Sequence, residues 1–333
     1  MSLWQTVGAI DLRVDGYELE TLEFSGEQFV RKTTVVNLRG AGDDGLGEDI
    51  TYDVATHDEA AAAGALLPLG GKWTIESFSA HLDDIGVTED YTRWAYESAA
   101  LDLALRQAGL SLAEAVGREP RPITFVVSTR GDIRPWLELS PTLRFKVDAR
   151  NGWTDEVVGE IASTGAVDVV DLKGHYRGEW VDADPNAELY RRVLDAFPQA
   201  YIEDAWLDEK TSPVVEQHRD RLTWDAPIHS VADVEALPFP PKTLNSKPSR
   251  FGTMRRLLDF AEYCTAKGIG LYGGGQFELG PGRGQIQLLA SLFHADGPND
   301  VAPGVYNLGG PRPGLPTSPL EVRPRPTGFL TLE

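Results

Sequence analysis

The sequence contains one cysteine, Cys264, so no disulfide can close within the chain. A zinc site built on thiolates is excluded too, because it needs several of them. Cys264 sits in LLDFAEYCTAKGIG, where apolar residues recur at helical spacing, and reads as a small core residue. Basic residues are also scarce: 31 Lys and Arg stand against 51 Asp and Glu, a net charge of −20. Such a surface repels phosphate backbones and anionic headgroups, which argues against nucleic acid and membrane as partners. No window approaches the roughly 18 uninterrupted apolar residues of a spanning helix. The start, MSLWQTVGAIDL, has no basic segment leading into an apolar run. Neither insertion nor secretion is expected, which leaves the cytoplasm as the default location.

The 333 residues are 41% hydrophobic, enough for one large domain and one small one. Residues 5–50 read as strands, with IDLRVDGYELETL and FVRKTTVVNLRG rich in Val, Thr and Leu before a Gly/Asp cluster. Residues 57–118 read as helices, with Gly109 and Gly117 ending helical segments. From Ile123 onward, short apolar runs alternate with helical stretches. Eight strands are expected, in ITFVVSTR, LRFKVDA, AVDVVDLKG, YIEDAW, LTWDAP, TLNSKPSRF, GIGLYGGGQF and VYNLG. Repeated βα order of this kind predicts an α/β fold, a (β/α)8 TIM-type barrel over 123–308, with an α+β capping domain over 1–122. The Pro-rich tail, 309–333, cannot continue the βα order and is expected to return to the cap.

A parallel barrel places its active site at the C-terminal ends of its strands. Charged residues at those ends are Lys146, Asp171, Glu203, Asp225 and Lys247. Any one of them alone would ordinarily be a solvated loop residue. Together they form an ordered set, three carboxylates on successive strands with a lysine on either side. Three converging carboxylates repel one another unless a cation joins them. Oxygen donors without His or Cys suit a hard ion, Mg²⁺ or alternatively Mn²⁺. Such an ion can hold a substrate carboxylate while a lysine removes the neighbouring proton. The histidines show no metal-like spacing; His175 lies just past Asp171, near the mouth, and His218, His229 and His294 read as surface residues. Gly273-Gly274-Gly275 lacks the lysine and helix context of a nucleotide loop, and glycines there let a substrate approach the backbone.

The stretch from Leu244 to Phe293 carries Lys247-Pro248, Gly252, Gly273-Gly274-Gly275 and Glu278-Leu-Gly280-Pro-Gly282-Arg283. Gly45-Leu-Gly47-Glu48 and YESAALDLALRQAGLSLAEAVG precede it. These segments resemble the enolase superfamily, muconate-lactonizing subgroup, nearest the o-succinylbenzoate synthase and N-succinylamino acid racemase branch. The resemblance implies Asp171, Glu203 and Asp225 as metal ligands, with Asp148 in VDARNGW as rival to Asp171. It implies Lys146 and Lys247 as the catalytic lysines, and Arg144, Lys173, Gly274, Gln276 and Glu278 as substrate-binding residues. Two positions depart from the family pattern: Arg144 replaces the first lysine of Lys-x-Lys, and Lys173 replaces the asparagine of Asp-x-Asn. Arg144 beside Lys146 is expected to lower the lysine's pKa.

The implied function is Mg²⁺-dependent removal of the α-proton of a small carboxylate substrate, by racemisation or epimerisation, cycloisomerisation, or syn elimination. The alternative is a barrel that has lost this chemistry and serves as a ligand-binding or structural protein. A homo-oligomer is compatible with the sequence.

Overall fold

The computed structural model describes residues 2–26, 29–176 and 184–332. The chain opens on a helix where strand was expected, α1 (Leu3–Gly8). The reason is a capping box: the Ser2 hydroxyl accepts from Gln5 N, and the Gln5 side chain accepts from Ser2 N. Strand β1 (Asp11–Val14) follows, then an antiparallel meander of β2 (Gly16–Ser25), β3 (Val30–Gly40) and β4 (Asp43–Asp49). Helices α2 (Val54–Ala63), α3 (Ile75–Asp84), α4 (Asp90–Ala108) and α5 (Leu112–Val116) fill the predicted helical stretch. That stretch also holds β5 (Gly71–Thr74), unforeseen in the sequence, which pairs antiparallel with β1.

The meander lies directly on α4. A Cβ on Gly45 would stand 2.4 Å from Ala99 O, and one on Gly47 2.0 Å from Ala95 O, so only glycine permits this approach. Helix α4 ends at Gly109 and α5 at Gly117, both left-handed, as their spacing predicts.

The second half alternates. Its order is β6 (Val127–Thr129), α6 (Arg134–Leu139), β7 (Phe145–Asp148), α7 (Asp155–Ser163), β8 (Val167–Asp171), α8 (Ala187–Ala196), β9 (Tyr201–Glu203) and α9 (Ser212–Val215). It continues with β10 (Leu222–Thr223), α10 (Val231–Glu235), β11 (Thr243–Ser246), α11 (Met254–Lys267), β12 (Gly270–Gly273) and α12 (Pro281–Phe293). Strands β6 to β10 form one parallel sheet in chain order, and β11 pairs parallel with β12. Among the described residues the ladders do not close into one continuous barrel sheet. Isolated backbone bonds span the gaps, among them Asn245 N to Trp224 O at 3.1 Å, Asp300 N to Gly273 O at 2.8 Å, and Val126 N to Asn299 O at 2.9 Å. The eighth position is thus held by Asn299–Asp300. VYNLG, expected as the last strand, instead begins in a 3₁₀ turn over Gly304–Tyr306.

Asn299 explains that change. Its Oδ1 accepts from Gly273 N at 2.6 Å, and its Nδ2 donates to the carbonyls of Thr124 at 2.9 Å and Gly297 at 2.8 Å. One buried amide therefore ties β12 to the segment leading into β6. His294, expected at the surface, is buried against it, with Nδ1 2.7 Å from Asn299 Oδ1. Burial pulls the His294 imidazole down to about 4. Cys264 lies in the core, as expected, where burial pushes its thiol up to about 12.

Cap and barrel meet through backbone atoms. Glu48, at the end of β4, accepts from Leu279 N, Gly280 N and Gly282 N at 2.7, 3.0 and 2.9 Å, around the start of α12. The Arg31 guanidinium donates to the carbonyls of Ile50, Thr51, Gln276 and Phe277. In the tail, Leu320 pairs with Ile123, Gly328 bonds Leu110 and Leu112, and Phe329 N donates to Asp102 on α4. No described helix is long and apolar enough to cross a membrane.

Replacing Asn299 by Ala strands several buried donors and acceptors at a junction without a regular ladder. A loss of about 2–3 kcal/mol is expected, read as a lower denaturant midpoint at unchanged slope.

Candidate active site

Charged residues begin where the apolar part of each strand stops. Lys146 in β7 is 1% exposed, Asp171 and Glu203 at the ends of β8 and β9 are 0%, and Asp225 just past β10 is 1%. Asp171 stands level with Glu203 on one side and Asp148 on the other. Lys146 lies two residues deeper than Asp148, and its ammonium reaches up to touch Glu203, with Asp171 Oδ2 at 3.1 Å and Asp300 Oδ2 at 3.8 Å. Lys247, just after β11, places Nζ 2.7 Å from Asp225 Oδ2. Thus the structure gathers both lysines and all three carboxylates at the C-terminal ends of the strands.

Arg144 does not join them. It lies one residue before β7, and the register shift opposite leaves Asp168 of β8 unpaired between Val167 and Val169. The guanidinium instead binds Asp168 with two nitrogens and the carbonyl of Gly165 with a third, at the opposite end of the strand. The expected depression of Lys146 by Arg144 is therefore absent. Burial acts to lower the Lys146 pKa, but Glu203, Asp171, Asp300 and Asp225 outweigh it and hold the ammonium well above the ordinary lysine range. Lys247 is likewise raised, with burial opposed by Asp225. Burial also resists ionisation of Asp171, yet Lys173 and Lys146 keep its carboxyl below the usual range. For Asp225, Arg250 and Lys247 do the same.

Lys173 is in the site. Its Nζ lies 2.5 Å from Asp171 Oδ2 and 3.5 Å from Asp148 Oδ1. Asp148, the rival ligand, gives its other oxygen to Arg130 at 2.8 Å. Gly274 serves the site by making room. A Cβ there would come within 2.6 Å of Asn245 Oδ1 and 2.9 Å of Lys247 Cε, so its neighbours are protein side chains where a substrate was expected. Gln276 joins two cap tyrosines, donating to Tyr91 Oη at 2.6 Å and accepting from Tyr52 Oη at 2.9 Å. Glu278 is spent within its own loop, on Arg283 at 2.7 Å and Gln276 N at 2.7 Å. His175 packs its ring against Trp206, centroids 5.5 Å apart.

Several site residues escaped the sequence reading. Asp204 follows Glu203 directly, in the left-handed region at φ 55°, and accepts from Asp225 N and Ala226 N. Asn245 and Tyr272 both donate to Glu203, and Arg250 lies 3.4 Å from Asp225. Asn245 precedes Lys247 by two, a same-face spacing on β11 that the sequence does offer. Tyr272 and Asp300 carry no comparable signal.

Asp171, Glu203 and Asp204 each present a carboxylate oxygen, all within 4.8 Å of one another. Asp225 Oδ1 is buried and accepts no hydrogen bond. An all-oxygen, acidic set of this kind fits a hard divalent cation.

The fold is that of the enolase superfamily, a TIM barrel with an N-terminal cap. Similar solved structures include a member from Listeria innocua, 20% identical, covering 88% of this chain and 86% of its own at TM-score 0.68. Muconate cycloisomerase from Pseudomonas fluorescens is 19% identical, with 87% of each chain covered and TM-score 0.66. An enolase-superfamily member of unknown role from Enterococcus faecalis is 18% identical, covering 87% and 86% at TM-score 0.66. No curated protein matches the sequence. The N-terminal domain of unknown function DUF8230 matches residues 5–115 and its C-terminal domain matches 119–308, so the chain belongs to the DUF8230 family.

Proposed function

We propose that the protein is a divalent-cation-dependent enzyme, an isomerase or lyase, that removes the proton next to the carboxylate of a small substrate. One observation carries this reading: carboxylates from three successive strand ends meet between two buried lysines on the flanking strands. Asp171, Glu203 and Asp225 would hold the ion, Mg²⁺ or Mn²⁺. Asp225 is preferred to Asp204 as third ligand because the Asp204 oxygens already accept from two backbone amides, whereas Asp225 Oδ1 accepts no hydrogen bond. When bound, the cation supplies charge to anchor the substrate carboxylate and to stabilise the enolate formed from it. Lys146 would take the proton once Glu203 and Asp171 turn from its ammonium to the cation and let it deprotonate, and Lys247 would face the same carbon from the other side. Tyr52 and Tyr91, tied through Gln276, bring the cap over this end of the barrel and exclude water.

Muconate cycloisomerase among the similar structures suggests cycloisomerisation as one outcome. The Lys247-Pro248 and Glu278-to-Arg283 segments favour the o-succinylbenzoate synthase and N-succinylamino acid racemase branch. A second reading, a barrel that binds a ligand without this chemistry, has its own observation. Each of the three carboxylates already touches a lysine of the chain, so the cluster is partly neutralised without a metal.

Proton NMR in D₂O separates the two readings. With Mg²⁺ present, N-succinylamino acids, dipeptides and succinylbenzoate precursors are screened for α-proton exchange. Exchange on at least one class is expected, and none on any class sinks the enzymatic reading. Lys146→Ala should lower the rate on the order of 10²–10⁴-fold. Lys247→Ala should abolish exchange from one enantiomer in a racemase, but slow an elimination without that asymmetry. Glu203→Gln should abolish Mn²⁺ binding measured calorimetrically; undiminished binding rules out the ligand assignment.

A further inference from the structure

Lys173 stands where its ammonium competes with a cation. It follows β8 at φ 51°, left-handed, and its backbone is fixed on both sides. Lys173 N donates to Asp171 Oδ1 at 2.9 Å, Leu172 N to Glu203 O at 2.9 Å, and Gly174 N to Asp204 O at 2.8 Å. From this anchored position the side chain doubles back onto Asp171 Oδ2. Asp171 therefore meets two ammonium groups, Lys173 and Lys146. A divalent ion on the same carboxylate would be repelled by both at close range and low dielectric.

Only one of the two can give way. The Lys146 side chain is 2% exposed and enclosed by Glu203 and Asp171. The Lys173 side chain is 15% exposed, on a flexible stem, and has a second acceptor in reach. Asp148 Oδ1 lies 3.5 Å from its Nζ, is buried, and among the described residues accepts no hydrogen bond. Asp148 itself is held by Arg130 at 2.8 Å.

We propose that Lys173 is a tethered cation that occupies Asp171 in the metal-free protein and transfers to Asp148 when a divalent ion binds. This rests on the metal reading given above. Lys173 thereby lowers the affinity of the site for the ion, and Asp148 offsets part of that loss by receiving the displaced ammonium.

The test is calorimetric titration of Mn²⁺ into the full-length wild type, Lys173→Asn, Asp148→Asn, the double variant, and Asp171→Asn. Asparagine tolerates the left-handed backbone at 173, so that variant keeps the loop geometry; thermal unfolding verifies that each protein is folded. Lys173→Asn should bind Mn²⁺ roughly 10-fold tighter, and Asp148→Asn several-fold weaker, within the usual range of such couplings. In the Lys173→Asn background, Asp148→Asn should have no further effect. Asp171→Asn should abolish binding throughout. If Lys173→Asn binds no tighter while Asp171→Asn still abolishes binding, the competition is overturned and the metal reading stands. If the Asp148 effect persists without Lys173, the transfer is overturned. If neither wild type nor Lys173→Asn binds Mn²⁺, the metal reading fails and takes this proposal with it.

Discussion

Asp171, Glu203, Asp204 and Asp225 are taken out of water together, each no more than 1% exposed. A buried carboxylate without compensation is far more costly than a typical folding margin allows, so cations and donors must follow it inward. Lys146, Lys247 and Arg250 do so as buried side chains, and Lys173 from the rim. They come from three strand ends, Lys247 and Arg250 sharing the turn after β11. The order of charges around the ring is thus a condition on the whole barrel, because displacing one strand would leave a buried charge unmatched. Outward-facing side chains such as Phe145, Val147, Val170, Ile202 and Leu244 provide the apolar burial against which this cost is set. The ladders here are short: β9 runs for three residues and ends on Glu203, and β10 for two, with Asp225 two positions past its end.

The cap completes the enclosure from above. Tyr52 and Tyr91 reach Gln276 from separate parts of the cap, one past β4 and one at the start of α4. The buried charges beneath lie in low local dielectric, which strengthens every ion pair among them and makes any vacancy felt by the rest.

The alternating βα rhythm and the charged strand ends were legible because both follow from simple periodicities, apolar runs punctuated by helix and by Lys, Asp or Glu. Glycine also read truly at Gly109 and Gly117, where the left-handed cap is a local property. Most of the misreadings share one cause, dependence on a partner far along the chain; α1, set by a local capping box, is the exception. Strand β5 exists because β1 offers it an edge some sixty residues earlier. The eighth barrel position fell to Asn299–Asp300 because of hydrogen bonds from one side chain, which hydropathy does not register. Arg144 was assigned to the site on a period of two, but it precedes β7 and its guanidinium is taken by Asp168 and the carbonyl of Gly165. Asp204 and Tyr272 are invisible for the opposite reason: each looks like an ordinary neighbour of a recognisable residue until the fold brings Glu203 and Asp225 beside it.

The junction of cap and barrel is written in unequal alphabets. On the barrel side, Arg31 and Glu48 touch the carbonyls of Gln276 and Phe277 and the amides of Leu279, Gly280 and Gly282. Every amino acid carries that carbonyl, and all but proline carry that amide. These bonds survive a change of side chain at Leu279, whereas Gln276 holds the cap through its own amide and Gly282 leaves no room for a Cβ beside Glu48. Arg31 and Glu48 have no such freedom, since one must donate several bonds from a single fork and the other must accept three at once. Drift at this junction is therefore easier on the barrel side than at the two cap residues that seat on it.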